Sequence, residues 1–310
     1  MKIKFDLNSA ILLFIGAIIW GFAFVFQARG MNHIGPFTFT ALRSIIAFLF
    51  SLIVVVMLPS LSKTQREKTK ENYLSNIAAV RGGIYAGIVI FIGMSFQQVG
   101  IIYTSAGKAG FITALYIVMV PILGLIFNKK ILPIKVWLCL LISIIGFYLI
   151  SIRGKVHISK GDLYVFIGSL FYAVHILILS HFSPRTDGIK LNGMQFLVAG
   201  ILSLSVAVFK EKIDIKSIYE AGLDILFVGI LSSGVAYTLQ IIGLKKMDPT
   251  LATMISSTES IFAVVGGVWI LKETLTSTEF IGCFLVFFAT IFAQLPEGFL
   301  KKNKISKSAD

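Results

Sequence analysis

The hydrophobic pattern of the chain is a series of apolar runs, each near 20 residues, with polar connections that are mostly short. A helix of about 20 apolar residues crosses a hydrocarbon core of roughly 30 Å, because each residue adds about 1.5 Å. Barrel strands would need only about 10 residues each. The pattern therefore predicts ten helical spans, over residues 9–28, 36–58, 79–100, 104–127, 133–151, 162–182, 190–209, 221–244, 249–271 and 277–296.

The fourth run, residues 104–127, has a counterpart further along the chain. A shift of 143 positions places it over residues 247–270, and the alignment needs no gap over 36 positions. Under this shift Tyr116 falls on Glu259, the one acid in the middle of an apolar run. The other matches include Gln97 with Gln240, Gly100 with Gly243, Ala109 with Ala252 and Lys129 with Lys272.

A second shift, of 152 positions, relates the first helices of the two repeats and places Arg43 over Gln195. Five spans per repeat is an odd number, so the second repeat must enter the membrane from the opposite side. Inverted repeats are typical of secondary transporters, which hold substrate near the midplane between the repeats. The sequence predicts an all-α membrane protein whose ten transmembrane helices form two inverted five-helix repeats, residues 9–151 and 162–296.

Composition and charge agree with a membrane protein. Charged residues make up 14% of the chain, whereas a soluble domain carries about a quarter. With the N-terminus inside, 18 Lys and Arg residues fall on inner segments and 8 on outer ones, which predicts cytoplasmic termini and a cytoplasmic loop 59–78. The net charge is +13, and the basic residues lie between the apolar runs. This placement indicates contact with membrane lipids, and no nucleic-acid partner is expected.

Pro121 predicts a distortion in the fourth span. Proline has no N–H to donate to the carbonyl of Ile117, so the helix should kink or loosen there.

Four short motifs fall at comparable places in the spans: Trp20-Gly21, Arg43, GIIYTSAGKA at 100–109 and Leu271-Lys272-Glu273. Together with the duplicated layout they resemble the EamA family of the drug/metabolite transporter superfamily, over about residues 10–296. The resemblance implies a bacterial inner-membrane carrier, commonly an exporter of amino acids or other metabolites, with a central cavity. It also implies peripheral fifth and tenth helices. Relatives often have a proline where this chain has Ser260, which implies a weaker kink in the second repeat.

Three charged residues inside spans are candidate substrate-binding residues, because buried charges usually mark functional sites. From helix rise, Arg43 lies roughly 10 Å and Lys108 roughly 6 Å from the outer end, while Glu259 lies roughly 15 Å deep, near the midplane. This arrangement suits a zwitterion, or an anion with an apolar body. Lys108 could instead extend to the interface, and Arg43 could bind loop carbonyls or a helix end.

Four further residues are candidates for substrate binding. Trp20, Tyr116 and Tyr237 each combine a ring with a polar tip on a repeat-related helix. His175 is a candidate proton relay, although a lone histidine in a helix can equally be satisfied by a neighbour. Glu259 is the candidate for proton coupling, since burial disfavours the charged form of a carboxylic acid.

The leading hypothesis is a secondary transporter that exports small metabolites such as amino acids, with protons as a possible coupling ion. The alternative is a lipid or lipid-linked sugar flippase. A membrane enzyme is disfavoured because paired carboxylates and metal-ligand spacings are missing from the spans, so no catalytic residue, cofactor or metal is expected. The expected oligomeric state is a monomer or a weak homodimer.

Overall fold

The computed structural model describes residues 6–57, 69–104, 106–129, 132–151, 159–270, 272 and 276–295, and these ranges contain no strand. The helices are α1 (Leu7–Gly30), α2 (Pro36–Met57), α3 (Thr69–Ile101), α4 (Ala106–Thr113), α5 (Tyr116–Asn128), α6 (Ile134–Ser151), α7 (Lys160–Phe182), α8 (Gly188–Lys210), α9 (Ile215–Glu220), α10 (Gly222–Leu226), α11 (Tyr237–Leu244), α12 (Pro249–Ser256), α13 (Glu259–Ile270) and α14 (Ser277–Gln294). A 3₁₀ turn, Ser183–Arg185, follows α7, and a π-helical segment, Phe227–Ala236, lies between α10 and α11.

Eight stretches of these helices are long and apolar enough to cross a membrane, judged by length and composition. Two shorter apolar stretches, Ile134–Leu149 in α6 and Phe280–Ala293 in α14, correspond to the predicted fifth and tenth spans. The all-helical membrane fold is confirmed, while the count of ten and the inverted relation of the repeats stay predictions. The eight are Leu7–Gly30, Pro36–Met57, Leu74–Ile101, Ala106–Phe127, Lys160–Arg185, Gly188–Lys210, Gly222–Leu244 and Pro249–Ile270.

The predicted loop 59–78 is shorter than expected. Its second part, from Thr69, already belongs to α3, because a helix can continue past its apolar run with polar residues. Residues 59–68 and the basic tail from residue 296 lie outside the described residues.

Several helices begin at side-chain caps that the sequence supplies. Asp6 accepts a hydrogen bond from Ser9 N at 2.9 Å at the start of α1. Ser159 and Asp162 form a capping box at the start of α7. Asp248 caps α12, whose first residue is Pro249. Such caps satisfy backbone N–H groups that have no partner within the helix.

The strongest packing joins the two halves of the chain, by which we mean residues 6–151 and 159–295. In this interface α2 and α3 pack on α8, α3 packs on α7, and α1 packs on α13. Small residues allow the closest approach: a Cβ on Gly161 would lie 2.5 Å from the carbonyl oxygen of Gly100. Close backbone approach at glycines is typical of membrane helix pairs. The helices α6 and α14 pack mainly on each other, beside this interface.

Two spans are broken at equivalent positions. The span of α4 and α5 is interrupted at residues 114–115, and the span of α12 and α13 at residues 257–258, which is the same place after the shift of 143. In each turn the hydrogen bonds tighten from the α pattern to the 3₁₀ pattern: Leu115 N to Ile112 O is 3.2 Å, and Thr258 N to Ile255 O is 3.1 Å.

These breaks bear on two expectations about prolines, and a kink at Pro121 itself stays a prediction. Pro121 lies inside α5, five residues after Tyr116 begins that helix, so the break does not form at the carbonyl of Ile117. The second half has the same break although it carries Val264 at the position equivalent to Pro121 and Ser260 at the position where relatives often have proline. The main-chain turn is therefore common to both halves and does not depend on a proline.

Candidate functional site

A cavity of about 40 Å³ lies between the two halves, beside both helix breaks. Residues from α1 to α5 face residues from α7, the π-helical segment, α11 and α13. Six of the seven candidate site residues line it, and Lys108 does not. The lining residues are Trp20, Phe24, Gln27, Arg43, Gln97, Thr113, Tyr116, Tyr172, His175, Ile176, Ser232, Tyr237, Gln240 and Glu259.

Arg43 is buried, with 3% of its surface exposed, and its three hydrogen bonds all go to neutral oxygen atoms. Nε donates to Ser233 Oγ at 3.0 Å, and the terminal nitrogens donate to Gln27 Oε1 at 2.9 Å and to Ser232 Oγ at 3.2 Å. A guanidinium has five N–H donors, so two remain for another partner. Within the described part of the chain, Arg43 has no ion pair with an acidic side chain.

The serines that hold Arg43 come from the π-helical segment Phe227–Ala236. The Nδ2 atom of Asn192 donates to the carbonyls of Ser233 and Gly234, both at 3.1 Å. These bonds satisfy backbone oxygens in the irregular segment. π-Helical turns often occur at functional sites, and this one brings two consecutive hydroxyl groups to one guanidinium.

Glu259 and Tyr116 begin the helices that follow the two breaks. Their side chains lie close together on the cavity wall. Positions that are equivalent across the repeat thus face the same cavity. Gly21 allows α1 to reach this point, since a Cβ there would lie 2.6 Å from the carbonyl oxygen of Glu259.

Three buried polar atoms on the cavity wall have no hydrogen-bond partner within the described residues. They are the Nε1 donor of Trp20, the Oε1 acceptor of Gln240 and the Oε1 acceptor of Glu259. Buried polar groups are nearly always hydrogen-bonded, so groups without partners on one wall need an explanation.

Gln97, which is equivalent to Gln240, is satisfied. Its Nε2 donates to Thr113 Oγ1 at 2.9 Å, and its Oε1 accepts from the Tyr172 hydroxyl at 2.9 Å. Both ends of this amide are therefore used to join α3 to α4 and α7.

His175 lines the cavity and is also bound by a neighbour. Its Nε2 lies 2.8 Å from Gln195 Oε1, and Gln195 Nε2 donates to Asn192 Oδ1 at 2.8 Å. The ring of Tyr237 contacts those of His175, Trp20 and Phe196, with centroids 5.0–5.9 Å apart. This cluster gives the cavity an aromatic wall.

Lys108 makes a different contact. Its Nζ lies 2.6 Å from Asp162 Oδ2, and Asp162 Oδ1 accepts from Thr104 Oγ1 at 2.8 Å. The ion pair joins the start of α4 to the start of α7, and thus the first half to the second. Asp162 is not among the residues predicted from the sequence, although an acid beside an apolar run is a visible signal. No group of three potential metal ligands occurs among the described residues.

The fold and the site define a multi-pass membrane protein with a polar cavity between two similar halves. The model of the EamA-like transporter family matches the chain twice, at residues 7–152 and 159–294. The chain belongs to this family. That membership confirms the resemblance inferred from the motifs and supports a membrane transporter as the class of protein.

Several transporters are similar to the chain over most of its length. An uncharacterized transporter of Archaeoglobus fulgidus is 30% identical, over 94% of this chain and 85% of that protein. The uncharacterized transporter YyaM of Bacillus subtilis is 26% identical over 88% of this chain and 94% of that protein. A solved crystal structure has the same fold, with a TM-score of 0.73, 15% identity, and coverage of 93% of this chain and 97% of that one.

Proposed function

We propose that the chain is a secondary transporter that exports small zwitterionic metabolites, such as amino acids, by alternating access. The observation that carries this proposal is the set of partnerless polar atoms on the cavity wall, beside a buried Arg43 that has only neutral partners. Leaving a buried polar atom without a partner costs about 1–3 kcal/mol, so a ligand that satisfies these atoms is bound selectively.

The chemistry of the wall indicates which groups that ligand carries. Arg43 and Trp20 offer N–H donors, which suit a carboxylate. Gln240 and Glu259 offer oxygen acceptors, which suit an ammonium group with its three N–H donors. The aromatic wall around Tyr237 suits an apolar body between these two ends.

The contacts between the halves support alternating access. Lys108 pairs with Asp162 where α4 and α7 begin, and Arg29 pairs with Asp224 at 2.7 Å where α1 ends and α10 begins. Both ion pairs cross between the halves at the same end of the bundle, so the cavity opens toward that end when they separate. In this proposal Lys108 controls access, while Arg43 binds the substrate carboxylate.

The remaining parts of the proposal concern the membrane and energy coupling. The family resemblance implies a bacterial plasma membrane location, and the count of Lys and Arg supports termini in the cytoplasm. Glu259, which lines the cavity, is the residue that would carry a coupling proton.

Ligand binding to purified protein tests the roles of Arg43 and Lys108. The panel holds neutral amino acids, the matching carboxylic acids without an ammonium group, and the matching amines. Amino acids should raise the melting temperature of the wild type more than either partial analogue. Arg43→Gln should weaken their binding about tenfold or more, because a hydrogen bond to a charged group is worth about 1.5–3 kcal/mol.

Two variants serve as controls. Arg81→Gln removes an exposed arginine of α3 that does not line the cavity and should bind as the wild type does. Lys108→Gln should also retain binding in detergent while changing the rate of transport into proteoliposomes. Wild-type affinity in Arg43→Gln, or amines that bind as well as amino acids, would contradict the proposal.

A further inference from the structure

A second depression lies on the side of the bundle, away from the central cavity. The helices α2 and α3 form its two walls and α8 forms its floor, and its volume is about 350 Å³. It shares no lining residue with the central cavity. Its lining residues are Phe48, Ser51, Leu52, Val55, Asn76, Ala79, Val80, Ile189, Lys190, Gly193 and Met194. We call it the lateral groove.

The groove forms because α2 and α3 both pack on α8 but contact each other little. On the floor, Gly193 lets α2 approach α8 closely, since a Cβ there would lie 3.1 Å from that of Ser51. The rim residues Leu52 and Val80 are 47% and 46% exposed. In a multi-pass membrane protein, an exposed apolar rim faces lipid chains.

One end of the groove is polar and positively charged. Lys190 Nζ donates to Asn76 Oδ1 at 3.0 Å, and Lys190 forms no ion pair within the described part of the chain. The neighbouring acid, Asp187, accepts from the backbone N–H groups of Ile189 and Lys190 and so caps α8. Two N–H donors of the Lys190 ammonium group are thus left for an anion.

The dimensions of the groove match one leaflet of a membrane. Lys190 is near the start of α8, where a lipid headgroup would lie. From Val55 to Phe48 the groove follows α2 for seven residues, a length of about 10 Å. This length fits within the hydrocarbon of one leaflet, which is about half of 30 Å thick. A cation at headgroup level above an apolar slot is complementary to a phospholipid.

We propose that the lateral groove binds an anionic phospholipid of the membrane, with one acyl chain between α2 and α3 and the phosphate on Lys190 and the Asn76 amide. Basic pockets between transmembrane helices bind anionic headgroups in this way. The lipid bridges α2, α3 and α8, which belong to different halves, so its occupancy stabilises the packing of the halves.

Lipid binding to the purified full-length protein tests this proposal. Native mass spectrometry would follow titration with palmitoyl-oleoyl phosphatidylglycerol and with phosphatidylcholine of the same chains. The wild type should bind one phosphatidylglycerol about fivefold more tightly than phosphatidylcholine, the effect expected of one lysine. Lys190→Gln should abolish this preference, and Val55→Trp, which fills the slot, should weaken both lipids.

Lys210→Gln is the matched control, because Lys210 is an exposed lysine at the opposite end of α8. It should bind both lipids as the wild type does. Melting temperatures measured without lipid verify that each variant is folded, and Val55→Phe replaces Val55→Trp if the latter is not. Unchanged preference in Lys190→Gln, unchanged affinity in the groove-filling variant, or displacement of the lipid by inorganic phosphate would each overturn the proposal.

Discussion

The two helix breaks have the same main-chain hydrogen bonds but different side chains. The turns at 114–115 and 257–258 make the same main-chain hydrogen bonds, and both spans end in a residue with positive φ, Lys129 at 50° and Lys272 at 58°. The residues that follow the breaks are Tyr116 in the first half and Glu259 in the second. Main-chain bonds thus hold the turn, which leaves the side chain beside it available for function.

The difference extends to the polar contacts around each break. In the first half both ends of the Gln97 amide are bonded, to Thr113 and Tyr172. In the second half the equivalent Gln240 and Glu259 each present an oxygen with no partner among the described residues. A buried acceptor without a donor is costly. The glutamine beside the first break therefore stabilises the fold, and in the proposed function the two acceptors of the second half bind the ligand.

The largest expected effect comes from removing the acid of the second break. Glu259→Gln keeps the shape of the side chain and removes its ability to release a proton. In proteoliposomes this variant should lose accumulation of substrate driven by a pH gradient but keep exchange between equal pools. Tyr116→Phe, at the equivalent position, removes only a hydroxyl group and should retain accumulation.

The comparison fails if both variants behave alike. Accumulation that survives Glu259→Gln would show that another group couples transport to protons. Loss of exchange as well as accumulation in Tyr116→Phe would show that the first break also contributes to the chemistry of transport.

The all-helical fold, the equivalence of the two broken spans and six of the residues that line the cavity could be predicted from the sequence. The shift that placed Tyr116 over Glu259 identified two residues that line the same cavity in the structure. The partner of Lys108 could not be predicted: helix rise gives depth but not the direction of a side chain. The neighbours of Arg43 depend on a π-helical segment, and hydrophobic pattern does not distinguish a π-helix from an α-helix.

A second effect should separate the roles of the two glutamines. Gln97→Leu removes the partner of Thr113 and Tyr172, so it should lower the free energy of unfolding by about 1–3 kcal/mol. Gln240→Leu removes an acceptor that has no partner within the described residues, so it should leave stability unchanged and weaken binding of the substrate ammonium group. Melting temperature and ligand affinity, measured for both variants, provide the test. A loss of stability in Gln240→Leu alone would reverse the assignment.

The smallest expected effect concerns Pro121. If proline caused the first break, Pro121→Ala would straighten the span, move Tyr116 away from Glu259 and impair transport. The second half argues otherwise, since it forms the same turn with Val264 at the equivalent position. We therefore expect Pro121→Ala to change the free energy of unfolding by no more than about 1 kcal/mol. Its transport rate should stay within about twofold of the wild-type rate.

A disulfide cross-link measures the distance between the two helix starts directly. It is formed in the double variant Tyr116→Cys with Glu259→Cys, with the two native cysteines replaced by serine, in the presence and absence of Pro121→Ala. Cross-linking that is lost only in the alanine background would show that the proline, and not the main-chain turn, holds the two helix starts together.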